Sequence, residues 1–162
     1  MAELCVRRRK PSDDGEVEAF LEKRSALRVA RLGTLEHALE HPALLAEHDG
    51  KLVGVLTFVL ADAECEILTL HAAERFHGIG SALIAAVERL AADAGCSRLW
   101  LITTNDNTDA LRFYQRRGFR LAALHRGAVD ESRAGVKREI PRIGDHGIEL
   151  RDELELDKVP GA

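Results

Sequence analysis

Residues 66–84 read Glu66-Ile67-Leu68-Thr69-Leu70-His71-Ala72-Ala73-Glu74-Arg75-Phe76-His77-Gly78-Ile79-Gly80-Ser81-Ala82-Leu83-Ile84. The first part belongs to a strand over residues 64–71, with Glu66, Leu68 and Leu70 expected on one face. The second part opens a helix that runs to about residue 94. Its apolar positions are Ile79, Leu83, Val87, Leu90 and Ala94, and Gly95 sits where a C′ glycine belongs. A strand that enters a glycine turn and then a helix is suited to holding an anion. The first turn of a helix carries unpaired N–H groups and partial positive charge, and glycines let an anion approach the backbone. The turn does not fit a P-loop, which needs Gly, four residues and Gly-Lys-Ser/Thr. It does not fit the dinucleotide fingerprint either, whose third glycine is replaced by Leu83. A turn that only packs helix against strand would contain the same glycines.

Outward from this stretch, strands and helices alternate. A short strand is expected over 5–9, a helix over 14–30 capped by Ser12 or Asp13, and a short helix over 35–40 capped by Thr34. The apolar runs 44–47 and 52–60 meet at Asp49-Gly50, a hairpin signal because both turn positions need positive φ. Downstream come a strand at 98–103, a helix at 108–117 with Asn107 as N-cap and Gly118 at its end, and a strand from 119. A polar loop over 129–147 follows, with room for a turn or two of helix, then a late strand from 148 to 157. The expected fold is α/β (α+β in some schemes): one domain over 1–162 with a mixed, splayed central β-sheet and helices on both faces.

Composition narrows the function classes. The chain has 162 residues, 46% hydrophobic and 31% charged, which excludes a disordered chain. No apolar run approaches the ~20 residues needed to span a bilayer. With no signal-peptide core visible, cytoplasm is the expected location. Five Phe, one Trp and one Tyr leave little for base stacking, so no nucleic-acid partner is expected. The dense basic run Arg7-Arg8-Arg9-Lys10 reads as a solvated strand end. Net charge is −4, and residues 145–158 carry the whole surplus, with six acids against Arg151 and Lys158. Those acids can attract a cationic amine, or simply keep an edge strand soluble. The same strand can pair across a homodimer or face solvent. Cys5, Cys65 and Cys96 form no C-x-x-C pair, so neither a disulfide framework nor a zinc site is expected. His37 and His41 have i, i+4 spacing but no third ligand, and no metal is expected.

Arg75-x-x-Gly78-x-Gly80 resembles the Arg/Gln-x-x-Gly-x-Gly/Ala signature of the GCN5-related N-acetyltransferase superfamily. Leu68-x-Leu70 fits the family's preceding strand, although the usual proline is Ala72 here. Asn107-x-x-Ala110-x-x-x-Tyr114-x-x-x-Gly118-Phe119 is similar to its second signature. The resemblance is firm over residues 64–124.

The resemblance implies an enzyme that moves an acetyl group from acetyl-CoA to a primary amine by direct attack. The implied pyrophosphate site is the turn from Arg75 to Ser81, including His77, Gly78, Ile79 and Gly80. Arg75 and His77 are either side-chain contacts or solvated surface residues. The backbone of Leu68, Leu70 and Ala72 is implied to bind the pantetheine arm, with the amide near Leu70 as an oxyanion donor. Asn107 is an N-cap, a cofactor contact or both, and Asn105 is the weaker candidate. Tyr114 is implied to protonate the departing CoA thiolate, against the simpler reading of a core-edge tyrosine bonded to backbone. Glu64 and Glu66 are candidate bases acting through water, and His71 is another. Cys65 falls on the opposite face from these glutamates and, like Cys96, reads as structural. The 129–147 segment is implied to wall the acceptor site. Two other functions fit the same motifs: a non-catalytic acyl-CoA-binding module, and an acetyltransferase acting on protein or aminoacyl-tRNA.

Overall fold

The structure is a computed structural model that describes residues 3–73 and 78–161. Its strands are β1 (Leu4–Arg8), β2 (Arg28–Arg31), β3 (Thr34–His37), β4 (Ala43–His48), β5 (Lys51–Ala61), β6 (Glu64–Ala72), β7 (Arg98–Thr104), β8 (Arg120–His125) and β9 (Glu153–Lys158). Its α-helices are α1 (Asp14–Glu22), α2 (Ile79–Asp93), α3 (Thr108–Arg116) and α4 (Ala128–Ala134). Seven strands form one mixed sheet in the order β1-β4-β5-β6-β7-β9-β8, and β2 and β3 form a separate hairpin. The residues group into two compact units, one of residues 1–29, 37–99 and 160–162, the other of 30–36 and 100–159.

In the first unit β1, β4, β5 and β6 pair antiparallel. Asp49 and Gly50 both have positive φ and close the β4–β5 hairpin as the sequence predicts. One slip matters for the site. Thr57 pairs with Thr69 but Phe58 pairs with Ile67, so Leu68 is an extra residue on β6. Paired residues share a face of the sheet. One face therefore carries Gly54, Leu56 and Phe58 with Ala72, Leu70 and Ile67. The other carries Val55, Thr57 and Val59 with His71, Thr69 and Glu66. Strict alternation, which places Glu66 with Leu70, fails at this bulge.

Each face is covered by a helix. On the first, a Cβ at Gly54 would lie 2.5 Å from Ile79 Cγ2 and 3.0 Å from Leu83 Cδ1, so the glycine lets the start of α2 lie directly on β5. Ile79, Leu83, Ile84 and Val87 are buried on this helix. It ends as the sequence predicts: Cys96 N–H donates to Ala91 O, Gly95 N–H donates to Ala92 O, and Gly95 has φ +75°. On the second face Val17 and Leu21 of α1 pack with Ala43, Leu45 and Val55. Burying each of the two helix side chains contributes about 1.5–3 kcal/mol.

The expected 14–30 helix stops early. Ser25 takes φ +54°, the chain turns, and Arg28–Arg31 becomes β2. The expected 35–40 helix is β3 followed by a 3-10 turn, Ala38–Glu40. His37 and His41 flank that turn and do not share an α-helical face. The basic run is committed to the fold. Arg7 pairs with Asp13 and Glu47, and holds the Asp13 carboxyl well below the usual carboxylate range. Arg9 donates to the carbonyls of Leu39 and His41.

In the second unit, the late strand is shorter than its alternating pattern suggests. β9 starts at Glu153, and it lies between β7 and β8 in the sheet. It is not the edge strand expected from sequence, so edge pairing through it is closed. Asn105 explains the late start: its Oδ1 accepts from Arg151 N and Asp152 N, and its Nδ2 donates to Glu149 O. Buried Glu153 accepts from Leu32 N–H at 2.8 Å, where Leu32 and Gly33 turn the β2–β3 hairpin with positive φ. Burial pushes the Glu153 carboxyl pKa up.

The Gly54 contact makes the first testable statement. Gly54→Ala should destabilise the protein by about 1–3 kcal/mol through overpacking against Ile79, measured by urea denaturation. An unchanged midpoint would refute the close approach.

Candidate functional site

Three groups of expected site residues occupy defined positions. The first is the turn. Gly78 is the N-cap of α2 with φ +85° and ψ −1°, a left-handed conformation suited to glycine. Among the described residues, a Cβ there would meet nothing within 4 Å. Ile79, Gly80 and Ser81 form the first helical turn, whose amides have no acceptor within the helix. No acidic residue lies in that turn, and its N-cap, a glycine, has no side chain to cap it. No residue within that turn opposes the positive potential of the helix start. Arg75 and His77 lie outside the described residues.

The second group lies on β6. Leu68 is the bulged residue, and Leu70 and Ala72 share the α2 face. The opposite face brings Glu66, Thr69 and His71 into one row. Glu66 is buried, and Thr69 shares a 2.6 Å hydroxyl hydrogen bond with Thr57. Burial, aided by the positive charge of Arg24, lowers the His71 pKa, so its imidazole is neutral at pH 7. Glu64 begins the strand on the same face but is ion-paired with Arg98 at 3.5 Å. Cys65 pairs with Leu60 on the α2 face, fully buried, and desolvation pushes its thiol up to about 12. An un-ionised thiol at this position is a core side chain.

The third group lies in the second unit. Asn107 Oδ1 accepts from Ala110 N at 3.1 Å and caps α3, as one of its two expected roles requires. Tyr114 is buried on α3 between two rings, edge-on to Phe113 at 5.2 Å and to Phe119 at 5.4 Å. Burial raises its phenol pKa far above the usual value. Its hydroxyl has no hydrogen-bond partner among the described residues. The expected alternative, a hydroxyl tied to backbone, is not seen among them.

Three residues that shape the surroundings of these groups were not anticipated from sequence. Gly54 seats α2, and a lone glycine inside an apolar strand run is the signal that marks it. Asp106 is the second: it accepts from Thr104 Oγ1 and from Asp145 N, and a Cβ at Gly144 would fall 2.1 Å from its Oδ2. The third is Arg133 on α4, which donates to the carbonyls of Ile140, Pro141 and Leu150 and so folds the segment expected to wall the acceptor site. That segment borders a pocket of about 220 Å³ lined by Asp130, Arg142 and Arg151 among others. Among the described residues, no three His, Cys, Asp or Glu side chains gather as a metal site. No helix among them is long and apolar enough to cross a membrane.

The His71 environment is directly measurable. By NMR titration its imidazole should show a midpoint below the ordinary value near 6.5. Arg24→Gln should move the midpoint upward, but not fully, because desolvation is the larger cause. A midpoint at or above the ordinary value in the unmodified protein would contradict the burial of this face.

Comparison with known proteins identifies the family and the fold. The model of the acetyltransferase (GNAT) family matches residues 9–119. The uncharacterized protein YdhI of Bacillus subtilis is 43% identical over 110 residues, 68% of each chain. An IAA acetyltransferase structure from Bacillus cereus superposes with TM-score 0.73 at 21% identity, covering 97% of this chain and 99% of the other. A Bacillus subtilis acetyltransferase solved in complex with CoA gives TM-score 0.70 at 17% identity, with coverage of 97% and 99%. The motif spacing, the mixed sheet and these matches agree: the chain belongs to the GNAT family of acetyltransferases.

Proposed function

We propose that residues 1–162 work as one acetyl-CoA-dependent N-acetyltransferase domain acting on a primary amine. The observation that carries this reading is the two-faced β6. A glycine-opened, acid-free helix start follows one end of the strand, and a row of titratable groups lines the face away from that helix. The CoA-bound neighbour supports the choice of acyl donor.

In this reading the amides of Gly78 through Ser81 hold the pyrophosphate, with side-chain contacts from Arg75 and His77. The β6 backbone from Leu68 to Ala72 binds the pantetheine arm, and the Leu70 amide stabilises the developing oxyanion. The acceptor nitrogen attacks the thioester carbonyl carbon. A C–N bond forms, the C–S bond breaks, and no covalent enzyme intermediate arises. The proton lost by the amine passes through water to Glu66 or His71. Glu64, whose carboxylate is paired with Arg98, is the third candidate. Neutral His71 is ready to accept a proton at pH 7.

Tyr114 acts at the leaving group. A phenol with a raised pKa keeps its proton at neutral pH and is therefore a donor. It hydrogen-bonds the sulfur as negative charge develops, and the proton follows the electron pair to give free CoA. Solvent then reprotonates the phenolate. Asn107 serves this step by capping the helix that carries Tyr114. The reading includes a cytoplasmic location, supported by three cysteines in no framework spacing, and neither a membrane nor a nucleic-acid partner.

The test is thiol release from acetyl-CoA across a broad amine panel. Amine-dependent release is expected. Tyr114→Phe should lower kcat about tenfold or more with acetyl-CoA affinity intact. Gly78→Asp should abolish acetyl-CoA binding, because it puts a carboxylate and a strained L-residue at the cradle. Binding of acetyl-CoA without amine-dependent release in any case would refute the enzyme and leave an acyl-CoA-binding module.

A further inference from the structure

Helix α1 presents Val17 and Leu21 to the sheet, with Phe20 packed beside them. The stripe i, i+3, i+4 continues to i+7, which is Arg24, just past the helix end. A cation on a core-facing stripe calls for a partner. Among the described residues, no acid pairs with it. The guanidinium lies 3.6 Å over the Phe20 ring and gives one N–H to Phe20 O at 2.9 Å. A guanidinium has five N–H donors in a rigid fork, so most of its donor capacity is left. The side chain is half-buried, and the α1 stripe it extends packs on Val55, the cross-strand partner of His71, whose pKa the Arg24 charge helps to lower. His71 shares its sheet face with Glu66 and Thr69.

A fixed positive charge here works against a simple amine, whose protonated form is repelled on approach. The repulsion turns into attraction when the acceptor also carries an anion. Planar, bidentate recognition is what a guanidinium offers a carboxylate, and stacking on Phe20 fixes the plane of the fork. We propose that Arg24 selects acceptors that carry a carboxylate, binding that group beside His71 while the amine is presented to the Glu66–His71 row. This rests on the acetyltransferase reading above and deepens it by naming the substrate class: amino-acid-like primary amines. Glu66 and His71 supply the proton acceptor, and Arg24 supplies selectivity without touching the reacting atoms. Arg24 is therefore a specificity-determining residue and not a catalytic one.

The experiment uses the full chain, acetyl-CoA and matched amine pairs that differ only in the carboxylate: lysine with cadaverine, phenylalanine with phenethylamine, glycine with glycinamide. Thiol release gives kcat/KM for each member. The carboxylate-bearing member of at least one pair should be favoured tenfold or more. Arg24→Gln should collapse that ratio at least tenfold, through KM for the acid, with KM for acetyl-CoA held. Arg24→Lys should restore part of it, since charge returns without the fork. A merely structural Arg24 would lower the melting temperature without changing the ratio, and a ratio unmoved in a folded Arg24→Gln variant overturns the inference. So does a wild-type preference for the carboxylate-free members, which would leave the acetyltransferase reading standing. No turnover of either class, with acetyl-CoA bound, overturns the acetyltransferase reading, and the Arg24 inference falls with it.

Discussion

The extra residue at Leu68 is the constraint on which the rest of the first unit depends. A strand has a period of two, so inserting one residue changes which side chains face which helix. Before the bulge, Ile67 and Cys65 join the α2 face. After it, Leu70 and Ala72 join the same face, and Thr69 and His71 join Glu66 on the other. Without the insertion, His71 would turn toward α2 and two apolar side chains would replace Thr69 and His71 beside α1. The bulge therefore lets one strand seat an apolar helix on one side and keep a polar row on the other. Gly54 completes the arrangement, because α2 can rest on β5 only where no Cβ intervenes.

The second unit depends on a different device, three consecutive polar residues after β7. Asn105 ties down residues 149–152, Asp106 ties down residue 145, and Asn107 caps α3. Each uses a short side chain to replace missing backbone partners. The same tripeptide thus fixes the helix that bears Tyr114 and the segment expected to wall the acceptor. Hydrogen bonds from this tripeptide tie both the segment and α3 to the end of β7.

Sequence pattern identified the elements whose signals are local. The α2 helix, its glycine terminator, the Asp49-Gly50 hairpin and the Asn107 cap each depend on a few adjacent residues, and each appears where those residues predict. The misreadings share a different cause. Residues 14–30 carry helical spacing, but Leu27 reaches the α1 core from a strand-bound segment after the turn at Ser25. Residues 148–152 alternate as a strand would, yet Asn105 takes their backbone donors. The bulge at Leu68 leaves no mark in composition, because Thr and His are acceptable on either face until the pairing is known. The polar half of the site was legible as residue types, and its assembly on one face was not.

Arginine use links these points to the charge balance. Arg9, Arg24, Arg117 and Arg133 all donate to backbone carbonyls, and Arg24 and Arg117 also lie over Phe rings four residues earlier. These guanidinium groups tie helix ends and loops to backbone carbonyls. The net charge of −4 consequently says little about partners, because many cations are internal ties. What matters for recognition is a cation with donors left over, held against the face where the chemistry is proposed. The carbonyl contacts account for most of Arg133's fork and for one arm of Arg24's. That difference separates an arginine that folds the chain from one that can read a ligand.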